Sequence, residues 1–103
     1  MQQLDSKIMS SQDVQRMTSR WGHRTSYWVG KREFAHLHDE NELDIRITRR
    51  LLKRVKEIGI DPRVKLRPGP SDWIRFELRN RKDIDGAFKL LTLAWRNNKM
   101  VWR

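Results

Sequence analysis

The sequence contains no cysteine, which excludes disulfide bonds and thiolate zinc sites. It also has no apolar run approaching the about 18 residues of a membrane-spanning helix. The first residues, MQQLDSKIMSSQ, lack the apolar core of a signal peptide. From these absences we expect a cytoplasmic protein without a transmembrane segment.

Acidic residues are scarce relative to basic ones: 23 lysines and arginines face 13 aspartates and glutamates, giving a net charge of +10. The excess is concentrated within residues 45–82, whereas residues 39–44 (DENELD) hold only acids among their charged side chains. Such a charge predicts an anionic partner, either a small molecule or nucleic acid. A basic surface that serves only solubility is the alternative.

A chain of 103 residues predicts a single domain. We expect residues 1–10 to be a flexible N-terminus and residues 11–103 to form the domain. Hydrophobic periodicity and turn residues predict the order α-β-β-β-α-β-β-α. The fold class is therefore α+β: two layers, with a mainly antiparallel sheet and helices packed on one face. The predicted elements are helices over 11–21, 48–58 and 83–97 and strands over 25–29, 33–38, 43–47, 64–67 and 73–79.

Residues 33–48, EFAHLHDENELDIRIT, predict a hairpin whose two faces differ sharply in character. Side chains alternate across a strand, so burial of the aliphatic residues places the polar ones together on the other face. This register requires an odd number of residues between the strands; an even number would set the histidines opposite the isoleucines. The expected core side chains are Ala35, Leu37, Ile45 and Ile47, and the expected open-face side chains are Phe34, His36, His38, Asp44 and Arg46.

The second hairpin follows the same alternation and adds basic and aromatic side chains to the open face. A sheet face with histidines, arginines and a tryptophan is typical of a binding surface. The alternative is a solvated face on which charged cross-strand pairs stabilise the sheet. The residues that this hairpin contributes are Lys65, Arg67, Trp73, Arg75 and Glu77.

Several short motifs resemble those of a family of small bacterial proteins known as luciferase-like domains. They are E-F-A-H-x-H (33–38), D-x-R-x-T (44–48), D-P-R-V-x-L-R-P (61–68) and S-D-W (71–73). The resemblance covers about residues 25–97 and brings no settled activity with it. It implies that the functional positions are Glu33, His36, His38, Asp44, Arg46, Arg67, Ser71, Asp72 and Trp73.

Three kinds of chemistry suit the predicted face. A metal could bind His36, His38 and Asp44, but the neighbouring Arg46 disfavours a cation, and we assign no metal. An anion could bind planar guanidinium groups beside the Trp73 ring. We favour the anion and expect its ligand site to comprise His36, His38, Asp44, Arg46, Arg67, Ser71, Asp72, Trp73 and Arg75.

Nucleic acid is the alternative ligand, bound by the basic and aromatic sheet face. No sequence signature of a nucleic-acid-binding fold accompanies the charge, so this prediction is purely electrostatic. Ser71 is the only candidate nucleophile and lacks a recognisable base, so catalytic residues and cofactors are unassigned. Homodimer formation through a sheet edge or the C-terminal tail also remains open.

Overall fold

The computed structural model describes residues 2–10, 13–18, 25–39, 41–58, 61–66 and 71–102. These residues form an α+β fold in the order α-β-β-β-β-α-β-β-α. The helices are α1 (Gln2–Met9), α2 (Arg49–Ile58) and α3 (Lys82–Trp102). The strands are β1 (Gln15–Thr18), β2 (Thr25–Val29), β3 (Arg32–Asp39), β4 (Glu42–Arg46), β5 (Val64–Leu66) and β6 (Trp73–Glu77).

The described strands form a six-stranded antiparallel sheet in the order β1-β2-β3-β4-β6-β5. Strands β1 to β4 pair consecutively, and β6 then pairs with β4, which leaves β5 at the edge. Gly30 has a φ of 60° in the short β2–β3 turn, a conformation that glycine adopts without steric penalty. The hairpin of β3 and β4 therefore lies in the middle of the sheet, flanked on both sides.

Helix α3 packs against β2, β3 and β4, and helix α1 packs beside it. The sheet buries its apolar side chains beneath these helices, and β6 alternates between buried and partly exposed positions. Full burial of one such aliphatic side chain stabilises the fold by about 1.5–3 kcal/mol. The completely buried core residues are Leu4, Ala35, Leu43, Ile45, Ile47, Ile74, Phe76, Ala87 and Ala94.

The N-terminal region differs from the predicted elements. Residues 2–9 form a helix that the sequence did not predict, and its Leu4 and Ile8, spaced by four residues, are both buried in the core. The helix predicted over residues 11–21 is absent where the structure describes that range, since residues 15–18 form β1 on the edge of β2. Trp21 and Gly22, used to predict its end, lie outside the described residues.

The central elements follow the predicted order closely. Strand β2 has the predicted bounds, and β3, β4, β5, β6 and α2 begin and end within two residues of theirs. Helix α3 is longer than predicted because it continues through Asn98 to Trp102. No helix among the described residues combines the length and apolarity needed to cross a membrane.

Candidate functional site

The register of the β3–β4 hairpin brings polar side chains together on the face away from α3. His36 lies opposite Asp44, and Ala35 lies opposite Ile45. Both Ala35 and Ile45 are completely buried in the core. The predicted pairing of the two strands is therefore confirmed, and the imidazole of His36 points away from the helices. The predicted odd number of residues between the strands is not observed, because β3 ends at Asp39, β4 begins at Glu42, and an extra residue within β3 keeps the aliphatic residues paired.

A bulge in β3 changes the face of two residues that simple alternation assigns incorrectly. Tyr27 pairs with Ala35 and Trp28 pairs with Glu33, so Phe34 is an extra residue between these pairs. Phe34 is buried in the core, whereas alternation had predicted that it lies on the open face. The same extra residue places the Glu33 side chain beside His36.

His36 lies between two carboxylates. Its Nε2 is 2.9 Å from Oδ2 of Asp44, and its Nδ1 is 3.1 Å from Oε1 of Glu33. Carboxylates only accept hydrogen bonds, so both contacts are satisfied together when both ring nitrogens carry protons. The hydrogen bond to Asp44, reinforced by Glu33, accordingly raises the pKa of His36 against the opposing effect of burial.

Asp44 is the most enclosed charged group of the open face, with 1% of its surface exposed. Besides the contact with His36, its Oδ1 accepts a hydrogen bond of 2.9 Å from Nε of Arg75, its cross-strand partner. Burial opposes ionisation, but the hydrogen bonds from His36 and Arg75 outweigh it and hold the pKa of Asp44 well below its usual range. Asp44 thus connects the imidazole of His36 with the guanidinium of Arg75.

His38 lies at a second bulge of the same strand. Leu37 pairs with Leu43 and Asp39 pairs with Glu42, which leaves His38 as the extra residue. Its Nδ1 is 3.8 Å from Oδ2 of Asp44, so both histidines approach one carboxylate oxygen. The structure thus brings together four of the predicted site residues: His36, His38, Asp44 and Arg75.

Arg46 stands at the other end of this face. Its guanidinium lies over the ring of Trp73, its cross-strand partner, with 4.9 Å between the guanidinium carbon and the ring centre. The Trp73 ring also contacts His36, at 4.9 Å between ring centres. Nε of Arg46 is buried and has no hydrogen-bond partner among the described residues. Burial and the nearby charge of Arg32 lower the pKa of Arg46.

Asn98 links the two arginines to helix α3. This residue is completely buried, and its Oδ1 accepts a hydrogen bond of 2.6 Å from Nε of Arg32. Its Nδ2 donates to the backbone oxygens of Arg46 and Ala94, each at 2.7 Å. No sequence motif identifies Arg32 or Asn98 as a site residue, because their proximity arises only when α3 extends past residue 97.

Ser71 and Asp72 have structural contacts that account for their positions. Oγ of Ser71 accepts a hydrogen bond from the backbone N–H of Trp73, as in a local turn. Oδ1 of Asp72 accepts one from the N–H of Arg49 at the start of α2, and its backbone oxygen accepts one from Ile47. These bonds join the loop before β6 to α2. Arg67, the remaining predicted site residue, lies outside the described residues.

The part of the chain from β3 to the middle of α3 matches a known family. The model of the luciferase domain family matches residues 31–94, which is more than half of the chain. The chain therefore belongs to the luciferase domain family, as its motifs had indicated. Neither the curated proteins nor the solved structures gave a significant match. The family name by itself transfers no activity to this chain.

Proposed function

We propose that this luciferase domain binds a small anionic ligand, bearing a carboxylate or a phosphate, at the Arg46 end of the open face. The observation that carries the proposal is the environment of Arg46. Its guanidinium is partly buried, and its Nε has no hydrogen-bond partner among the described residues. The charges of Asp72 and Glu33 act on Arg46 without supplying an acceptor to this nitrogen. An oxyanion would supply the missing acceptor through the paired donors of a guanidinium.

Arg63 and Arg75 differ from Arg46 because carboxylates already bind them. Arg75 binds Asp44, and Arg63 binds both Asp61 and Asp83. Arg32, which lowers the pKa of Arg46, adds a second positive charge near the proposed ligand. Asp72 and Glu33 offset part of this positive charge, and an anion bound by the guanidinium of Arg46 would offset more of it.

The charges elsewhere on the open face favour a small ligand. Lys65 and Arg79 bind Glu77, and Arg75 binds Asp44, so much of the positive charge is paired. In this proposal His36, Asp44 and Arg75 hold the frame of the site, while Arg46, Arg32 and Trp73 contact the ligand. A long polyanion such as nucleic acid would find fewer unpaired cations on this face than the net charge of the sequence predicts.

Thermal unfolding with a panel of anions tests the proposal. The probes are inorganic phosphate, acetate, benzoate and a nucleoside monophosphate, each at ionic strength matched with sodium chloride. A probe at a hundredfold excess over its dissociation constant stabilises the fold by about 2.7 kcal/mol, which raises the Tm on the order of 10 °C. Arg46→Met should abolish this shift and retain the fold.

Arg79→Gln is the matched control, since Arg79 is an exposed arginine whose ion-pair partner is Glu77. This variant should keep the shift observed for the unmodified protein. The proposal fails if no anion in the panel raises the Tm, or if Arg46→Met responds as strongly as the control.

Nucleic acid remains a second candidate, and one feature of α2 favours it. Arg49, Arg50, Lys53 and Arg54 are all exposed on this helix. Binding through α2 should weaken steeply with salt, by about one log unit of affinity per log unit of salt for each phosphate contacted. It should also survive Arg46→Met and be lost when the α2 cations are replaced by glutamine. Homodimer formation and a cytoplasmic location remain predictions from the sequence.

A further inference from the structure

Three donor side chains, one imidazole and two carboxylates, converge where β3 turns into β4. One ligand atom each from His38, Asp39 and Glu42 lies within 4.8 Å of the others. We propose that they bind a divalent transition-metal ion such as Zn²⁺. This site is separate from the proposed anion site, because Arg46 lies at the opposite end of β4 from Glu42.

The bulge at His38 makes this convergence possible. Side chains of consecutive strand residues point to opposite faces, so His38 and Asp39 in a regular strand could not reach one ion. In this hairpin His38 is the extra residue, and Asp39 pairs directly with Glu42. Bulges redirect side chains in this way and are common beside functional sites.

The charges across the strands provide a second reason for a cation. Asp39 lies opposite Glu42, and Glu42 lies opposite Glu77 on β6, so three acidic residues form one row. Like charges that face each other across strands destabilise a sheet. Glu77 has Lys65 and Arg79 as partners, whereas Glu42 shares Arg75 with Asp44, at 3.5 Å and 2.9 Å respectively. A divalent ion would compensate the charge of Asp39 and Glu42.

The position of Asp44 beside His38 fits the proposed metal site. Histidines that bind metals usually direct their second ring nitrogen toward a carboxylate or carbonyl, which fixes the tautomer and the ring orientation. Nδ1 of His38 is 3.8 Å from the buried Asp44 carboxylate. In the proposed site this carboxylate orients the ring, and Nε2 binds the ion.

The donor types select the class of metal. One imidazole and two carboxylates suit Zn²⁺ and similar first-row ions, whereas Mg²⁺ and Ca²⁺ favour sites made only of oxygen. Bonds of about 2.0–2.2 Å require the three donors to move closer together than they are now. His38 and Glu42 are only partly buried and Asp39 is exposed, so these side chains have room to make that adjustment.

Isothermal titration of the full chain with Zn²⁺, Mg²⁺ and Ca²⁺ tests the site. We expect one Zn²⁺ per chain and no binding of Mg²⁺ or Ca²⁺ at the same concentrations. Loss of an orienting partner alone lowers metal affinity by about 10- to 100-fold. Each of His38→Ala, Asp39→Asn and Glu42→Gln removes a ligand and should weaken Zn²⁺ binding at least as much.

Two control variants separate this site from nonspecific binding. His23→Ala removes the third histidine of the chain, and Asp85→Asn removes an exposed acid outside the cluster. Both should bind Zn²⁺ like the unmodified protein, and far-UV circular dichroism should show every variant folded. The proposal is overturned if the unmodified chain does not bind Zn²⁺, or if Glu42→Gln binds it with unchanged affinity.

Discussion

Nε2 of His36 lies 2.9 Å from Oδ2 of Asp44, and the two residues are direct partners across the central hairpin. The same carboxylate accepts a hydrogen bond from Arg75 on the other neighbouring strand. One buried acid thus joins β3, β4 and β6 on the face of the sheet away from α3. This connection makes Asp44 the residue whose replacement should affect the open face most strongly.

We expect Asp44→Asn to lower the free energy of unfolding by about 3 kcal/mol. The change keeps the shape of the side chain but removes the charge that compensates His36 and Arg75. Urea unfolding followed by circular dichroism measures the difference. Glu77→Gln is the control on the same face, because the partners of Glu77 include the exposed Lys65 and Arg79, and it should change stability little. Equal effects of the two substitutions would contradict the central role of Asp44.

Thr48 has a φ of 68° immediately before α2, a left-handed conformation that β-branched residues rarely adopt. Its hydroxyl also accepts a hydrogen bond of 3.4 Å from the N–H of Leu51. Thr48→Gly and Thr48→Ala both remove that hydroxyl, but only alanine retains a Cβ. We therefore expect the glycine variant to be more stable than the alanine variant by about 1 kcal/mol.

The same two substitutions at Lys53 serve as the control, since this residue is exposed in the middle of α2. Glycine is less favourable than alanine by about 1 kcal/mol in a helix interior. Lys53→Gly should thus be less stable than Lys53→Ala, the reverse of the order at position 48. Thermal unfolding of the four variants measures both differences, and the same order at both positions would show that Thr48 is not strained.

The sequence predicts the open face of the β3–β4 hairpin well, because burial of the aliphatic residues determines the register of the two strands. Ala35 and Ile45 must enter the core, and that requirement alone places His36 opposite Asp44. Phe34 shows the limit of this reasoning. Its bulge has no glycine or proline to mark it in the sequence, so alternation assigns Phe34 to the wrong face.

Contacts between distant segments set a second limit. The strand at residues 15–18 forms by pairing with the exposed edge of β2, and its polar sequence contains no alternation that would predict it. The approach of Asn98 to Arg32 and Arg46 likewise depends on the path of α3 over the sheet. Local sequence patterns do not report either arrangement, because both depend on tertiary packing.

Arg63, immediately before β5, joins two acids. Its guanidinium binds Asp61 and Asp83 and lies over the ring of Phe76. The hydrogen bonds from Arg63 lower the pKa of Asp61 to about 2, and bonds from backbone N–H groups and from Arg63 lower that of Asp83. Both carboxylates therefore stabilise the fold in their charged form.

This arrangement predicts how stability changes in acid. A carboxyl whose pKa is lowered on folding contributes fully above its ordinary value, which is 3.8 for Asp61, and loses that contribution as the pH falls toward 2. Arg63→Gln should consequently be less stable than the unmodified protein at pH 7, with the difference shrinking between pH 4 and pH 2. Urea unfolding at several pH values measures it. A difference independent of pH would show that Arg63 acts through packing on Phe76 alone.

The buried amide of Asn98 forms hydrogen bonds with the Arg32 side chain on β3 and with the backbone oxygen of Arg46 on β4. Asn98→Leu keeps a side chain of similar size but leaves the backbone oxygen of Arg46 and Nε of Arg32 without this partner. A buried polar group left unsatisfied costs about 1–3 kcal/mol, so we expect a loss of about 2 kcal/mol in unfolding free energy.

Asn97→Leu is the neighbouring control, since the Asn97 amide binds only the oxygen of Leu93 in its own helix among its described contacts. Urea unfolding compares the two variants, and exchange of the Arg32 Nε proton, followed by NMR, should accelerate only in Asn98→Leu. If both variants lose the same stability and the exchange rate stays unchanged, Asn98 does not hold Arg32 in place.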